Sequence, residues 1–252
     1  SSDLFDIDIK VDNEPIYTKA KMFKSRFYYG VSSPPLLLQP DLINISVYSS
    51  LNNFIIVKFY VFPVVKIVEG SKNIFVNNTA IGGGGGAIYF NINNNFATIL
   101  NTDFINNSAS NGGAIYFGTF NPGTVLTNVF FQGNNCTEKG GAIYFLSFNS
   151  GVQFYNVTFQ SNKALMTGGA IYYEINNGIK YYAISNEINI TSSKFAYNHA
   201  VHSGGAIYSA QGNVLFIKDT EFAGNKASYA GAIMIIGKTN LTLTGMNYMK
   251  WN

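Results

Sequence analysis

Two histidines, one cysteine and thirteen carboxylates are the side chains of this 252-residue chain with the widest chemical range. His199 and His202 stand three apart before Gly204. A metal site needs further donors beside such a pair, and the surrounding repeats hold few acids, so the pair reads as a surface turn. Cys136 occupies a slot that Ala fills elsewhere and reads as a small buried residue. After residue 63 the acids thin to Glu69, Asp103, Glu138, Glu174, Glu187, Asp219 and Glu221. Glycoside cleavage uses two carboxylates about 5–9 Å apart. Asp103 and Glu221 share one slot but fall four repeats apart, and the single Arg, Arg26, lies outside the repeats. Gly82–Gly86 is not followed by the Lys-Ser/Thr of a phosphate loop. The expectation is therefore a non-enzyme with no catalytic residue, no metal and no cofactor.

Modification chemistry is better represented. Seven Asn-x-Ser/Thr acceptors occur, at Asn44, Asn77, Asn106, Asn135, Asn156, Asn189 and Asn240. Asn189 lies between Ile188 and Ile190 and should point outward, and Asn240 opens the strand that carries Leu241 and Leu243. These two rank first for N-linked glycan, followed by Asn44, Asn135, Asn77 and Asn106. Asn156 ranks last because it fills a repeated slot.

That slot belongs to a repeat that organises the chain. Gly-Gly-Ala-Ile-Tyr-Phe stands at 85–90, 112–117 and 140–145, with variants at 168–173, 204–209 and 230–235. The steps are 27, 28, 28, 36 and 26 residues. Each copy follows a Phe-x-x-Asn-x-Ala/Cys segment, with Phe at 75, 104, 131, 159, 195 and 222. A fixed period of this size marks a stacked fold whose units bury their faces on one another. Gly and β-branched residues recur and no helical periodicity is present, so each unit should supply three short strands. The reading is all-β: a parallel β-helix of about six 27–28-residue coils over residues 64–252. Residues 1–63 form a β-rich cap or adjoining segment, and the long step places an inserted loop near 175–186.

Stacking sets equivalent residues above one another. Asn78, Asn107, Asn134, Asn162, Asn198 and Asn225 should then form an amide ladder at a turn. A second ladder is expected at Asn101, Asn128, Asn156, Ser192 and Asp219. In the Ala-Ile-Tyr-Phe strand, Ile and Phe face inward by alternation. Tyr89, Tyr116, Tyr144, Tyr172 and Tyr208 become an exposed column and a possible packing face for a partner. The last residues, Tyr248-Met249-Lys250-Trp251, begin like a seventh Phe-x-x-Asn that lacks its Asn.

Charged residues make up only 12% of the chain, so Asn, Ser, Thr, Gly or glycan must carry solubility. The net charge of +3 is spread thinly, which disfavours nucleic acid. No run is apolar and long enough to span a bilayer.

Phe-x-x-Asn followed by Gly-Gly-Ala-Ile resembles the repeat of the chlamydial polymorphic membrane proteins. The resemblance implies a right-handed parallel β-helix displayed at a cell surface, with structural or adhesive roles. The resulting expectation is an extracellular glycoprotein rod in a surface layer, fibre or adhesin, with protein partners that include other copies of itself. The alternative is a β-helix that binds or cleaves polysaccharide.

Overall fold

A computed structural model describes residues 72–175 and 188–252 in full, and the backbone of seven short strands between residues 8 and 67. The loop expected near 175–186 falls almost wholly outside the described residues. Strands from successive repeats pair in parallel to build a solenoid, and no helix occurs among the described residues. One sheet holds the Phe-x-x-Asn strands, from Asn73–Val76 to Tyr248–Lys250. A second holds the Ile-Tyr-Phe strands, from Ile88–Ile92 to Ile233–Ile235, and reaches back to Ile55–Val57. A third stacks the alternating runs, among them Thr98–Leu100, Val125–Thr127, Gln153–Tyr155 and Ile188–Thr191. At its N-terminal edge Lys66–Ile67 pairs with Thr98–Ile99, and Asp8–Val11 lies antiparallel to Asn44–Ser46.

A fourth sheet was not expected. It consists of two-residue strands, Ser108–Ala109, Asn135–Cys136, Lys163–Ala164 and His199–Ala200. Each follows a ladder Asn and turns its small residue inward, so Ala109, Cys136, Ala164 and Ala200 are all buried. Burial pushes the Cys136 thiol up to about 12, which leaves it protonated and inert.

The interior is filled by columns. Phe75, Phe104, Phe131, Phe159, Phe195 and Phe222 stack with ring centroids 4.7–4.9 Å apart. Phe90, Phe117, Phe145 and Tyr173 form a second column at 4.6–4.9 Å. These spacings equal the strand separation of about 4.8 Å, so the pairing register sets the ring stacking. Each buried Phe contributes about 1.5–3 kcal/mol relative to exposure.

The two glycines of each copy do different work. The first takes positive φ, from 58° at Gly112 to 70° at Gly140, and Ala230 is held at 53° in the same slot. The second lies under the next coil: a Cβ on Gly141 would stand 2.0 Å from the Gly169 carbonyl oxygen. No side chain fits there.

The amide ladder runs through the described coils. In each step the backbone N–H and Nδ2 of one Asn donate to Oδ1 of the next, from Asn78 to Asn107 and onward to Asn225. Nδ2 also donates to the Phe carbonyl of the preceding coil, as from Asn162 to Phe131 at 3.0 Å. The ladder has a seventh rung, which corrects the reading of the last residues. Met249, not Tyr248, pairs with Phe222, so Asn252 supplies the missing Asn and accepts from Asn225 at 3.0 and 2.8 Å.

Replacing Asn162 by Ala removes the acceptor of two Asn134 donors and the amide that caps the Phe131 carbonyl. Such buried groups cost about 1–3 kcal/mol each when unmade. Asn162→Ala should therefore lower unfolding free energy by at least about 2 kcal/mol. Exposed Gln153→Ala should change it by less than about 0.5 kcal/mol. Urea denaturation of both variants checks the difference, and equal small shifts would remove the ladder from the stabilising core.

Candidate interaction surfaces

With the interior closed, chemistry is left to the outer faces. Stacked Tyr rings run down one of them, with centroids 4.7, 5.0, 5.3 and 4.9 Å apart from Tyr89 to Tyr208. Alternation puts this column on the face opposite the Ile and Phe core, but it is not the uniformly exposed column expected. Tyr144 and Tyr172 are only 6% and 4% exposed. Neighbouring rings cover their faces, and Glu174 closes over their tips. Tyr144 OH donates to Glu174 Oε2 at 2.7 Å, and Tyr172 OH to Oε1 at 3.4 Å. Lys139 Nζ lies 3.3 Å from the same carboxylate and 4.7 Å from the Tyr172 ring centroid. Tyr89, Tyr116 and Tyr208 remain half-buried at the two ends of the column.

A corner of the solenoid carries Asn101, Asn128, Asn156, Ser192 and Asp219, all left-handed with φ between 47° and 54°. Asn and Asp tolerate that conformation better than other non-Gly residues. Asn156 Nδ2 donates to Asn128 Oδ1 at 2.8 Å, and Asn128 Nδ2 to Asn101 Oδ1 at 3.1 Å. These contacts are exposed, and the column changes character below Asn156, where Asp219 accepts from the Met246 N–H. A shallow groove of about 450 Å³ follows this corner, lined by Lys72, Asn101, Asp103, Asn128, Val129, Phe130, Asn156 and Thr158. Its one carboxylate, Asp103, is held by Lys72 at 2.8 Å. Glu221, in the matching slot, is held by Lys194 at 3.2 Å. Among the described residues no three His, Cys, Asp or Glu side chains gather as a metal site.

The glycan acceptors separate by backbone need. Asn77 and Asn106 are exposed but left-handed, in a column shared with Gly133, Ser161, Tyr197, Gly224 and Trp251. Asn suits that column without any glycan. Asn135, Asn189 and Asn240 lie on strands and need no such explanation. Asn189 is half-buried between buried Ile188 and Ile190, and Asn240 is exposed. Asn44 lies on the strand Asn44–Ser46, and its side chain is outside the described residues.

A further amide ladder escaped the sequence reading. Buried Asn94 donates through N–H and Nδ2 to Asn121 Oδ1 at 2.9 and 2.8 Å, and the Asn121 N–H donates to Asn149 Oδ1 at 2.9 Å. The signal was an Asn recurring at steps of 27 and 28 residues just before each alternating run.

The Chlamydia polymorphic membrane protein (Chlamydia_PMP) repeat matches residues 101–118, 128–146 and 156–174. This chain carries that repeat. The three matches are consecutive, and each runs from the left-handed corner Asn through Phe-x-x-Asn to the Ile-Tyr strand. No curated protein and no solved structure matches.

The Tyr column makes alkaline pH a probe. Desolvation, then Tyr89 and Glu174, push the Tyr116 phenol up to about 12. Desolvation, the hydrogen bond to Glu174 and its charge push Tyr144 further up, and desolvation and the Glu174 charge do the same for Tyr172. A phenol whose folded value exceeds its unfolded value of about 10 lends stability below pH ~10, which is lost as pH rises through the folded value. Stability should fall above pH ~10, and Tyr144→Phe should flatten that fall. Ultraviolet phenolate titration alongside circular dichroism checks this, and ordinary ionisation of all tyrosines would contradict it.

Proposed function

We propose that this chain is a non-enzymatic structural or adhesive glycoprotein of the cell surface, a β-helical rod that works through its outer faces. The observation that carries this reading is the filled interior: stacked apolar columns and Asn ladders occupy the described coils and leave long, regular outer faces. The matched repeat supports display at a surface. Self-association end to end or along the Tyr face is part of the reading. The coil ending at Asn252 shows Leu243, Met246, Tyr248, Met249 and Trp251 at its surface, an apolar set that further chain or another copy would cover. N-linked glycan is proposed first at Asn189 and Asn240, then at Asn44, Asn135, Asn77 and Asn106.

A second reading, a polysaccharide-binding β-helix, draws on the groove along Asn101, Asn128 and Asn156. Its amides and the hydroxyl of Thr158 are groups that pair with sugar hydroxyls. The cleaving variant has less support, since Asp103 is engaged by Lys72.

Two measurements test the principal reading. Mass spectrometry of native protein should find glycan at Asn189 and Asn240, and both bare would count against an extracellular setting. Light scattering at micromolar concentration should show assemblies that shrink with Trp251→Gln. A monomer unchanged by that substitution would leave a self-contained binding module.

A further inference from the structure

The outer face of the fourth sheet holds three basic residues in register. Lys163 pairs with His199 across one coil boundary, and His199 with Lys226 across the next. Like charges placed directly opposite one another in a sheet destabilise it. None of the three enters an ion pair among the described residues. The charged groups that face His199 are Lys163 on one neighbouring coil and Lys226 on the other. Desolvation and these two cations lower its pKa. Two residues further on, Leu165 and Val201 stand exposed in successive coils, and Tyr229 lies exposed beyond them. Two lysines without an ion pair, flanking an imidazole beside exposed apolar side chains, form a face suited to something acidic and partly apolar.

The chain itself contains such a segment. Its first fourteen residues hold Asp3, Asp6, Asp8, Asp12 and Glu14 against Lys10 alone, a net of −4 in a chain whose total is +3. The other 238 residues therefore carry +7. Leu4, Phe5, Ile7, Ile9 and Val11 alternate with or adjoin those acids. The strand Asp8–Val11 of the same copy lies far from the basic row. In the third sheet, six strand steps separate Asp8–Val11 from Ile188–Thr191 of the His199 coil, a rise of about 29 Å at ~4.8 Å per step.

We propose that the acidic N-terminal segment of one copy docks on the Lys163–His199–Lys226 face of a second copy, its carboxylates meeting the basic row and Leu4 and Phe5, which precede the paired strand, packing against Leu165 and Val201. This rests on the self-association reading and gives it a specific contact, distinct from the Tyr face and the last coil. The contact requires no change in the backbone pairing of Asp8–Val11 with Asn44–Ser46. Opposed charge sets the relative position of the copies and speeds their encounter, and the apolar residues hold them.

A labelled peptide of residues 1–14 titrated into the intact protein reads the contact without requiring assembly. Binding should be saturable and weaken by at least about fivefold in Lys163→Gln/Lys226→Gln. It should be unaffected by Lys218→Gln/Lys238→Gln, two exposed lysines elsewhere. It should also strengthen as pH falls from about 7.5 to about 5, where imidazole gains its proton, and His199→Gln should remove that dependence. Equal binding of a scrambled peptide, or equal weakening by the control pair, would overturn the proposal. Intact chains supply the second arm. Lys163→Glu/Lys226→Glu and Asp6→Lys/Asp8→Lys chains should each associate poorly alone and recover when mixed. Association that persists through both substitutions would overturn this contact while leaving a self-associating rod in place.

Discussion

A buried amide must find a partner for both lone pairs and both N–H groups, and the stacked Asn column is the arrangement on which the rest of this solenoid depends. At Asn162, Oδ1 accepts from the Asn134 backbone and side chain, and Nδ2 donates to Asn198 and to the Phe131 carbonyl. All four valences are used within a site that is fully buried. Asp would lose both donors and stack charge on charge in a dry corner. Gln would carry the amide one carbon too far. The constraint is satisfied only when the Asn residues lie in register, so each rung specifies the position of the next.

Register fixed at one corner propagates to the others. The Phe residues three places before each Asn must then stack face to face, and the Gly-Gly turn must pass beneath its successor. The second glycine of each pair tolerates no Cβ because its neighbour's carbonyl already occupies that space. Coil separation is therefore set by backbone contact, while side chains fill what remains. The inserted residues between Tyr173 and Ile188 can be accommodated because pairing resumes in phase on the other side, at Gln153 with Asn189 and Phe154 with Ile190. A length change at a corner leaves the ladder untouched, since the Asn column is bonded across coils and not along the chain.

This division explains what the sequence made legible. Slots under hard constraint, namely Phe, Asn and the glycine pair, recur as fixed letters, so the parallel stack and its inward faces could be read directly. The Asn94–Asn121–Asn149 ladder stayed hidden because its neighbours vary and no fixed word surrounds it. The last rung was hidden for the opposite reason: Met249 stands where Phe was expected, and a one-residue shift disguised Asn252. Burial within the Tyr column was not legible at all, because it depends on Glu174, one residue beyond the repeat motif, folding back over hydroxyls from two coils. Outer-face features are set by single residues, and a repeat pattern averages them away.

The ladder also gives the rod a direction. Each rung sends its backbone N–H and one Nδ2 hydrogen to Oδ1 of the next coil, as from Asn162 to Asn198, and turns its second Nδ2 hydrogen back to the Phe carbonyl of the preceding coil. Two poles built this way are not equivalent: one presents an amide oxygen that takes two donors, and the other presents the two donors for such an oxygen. Apposing like poles would set these donors against donors or amide oxygen against amide oxygen at the Asn corner. A body that extends the stack past Asn252, whether further chain or another copy, must bring an acceptor to that corner. A copy that joined the stack through a pole would therefore meet it head to tail. The basic face on the fourth sheet lies along the side of the solenoid, where this polarity imposes nothing on a partner.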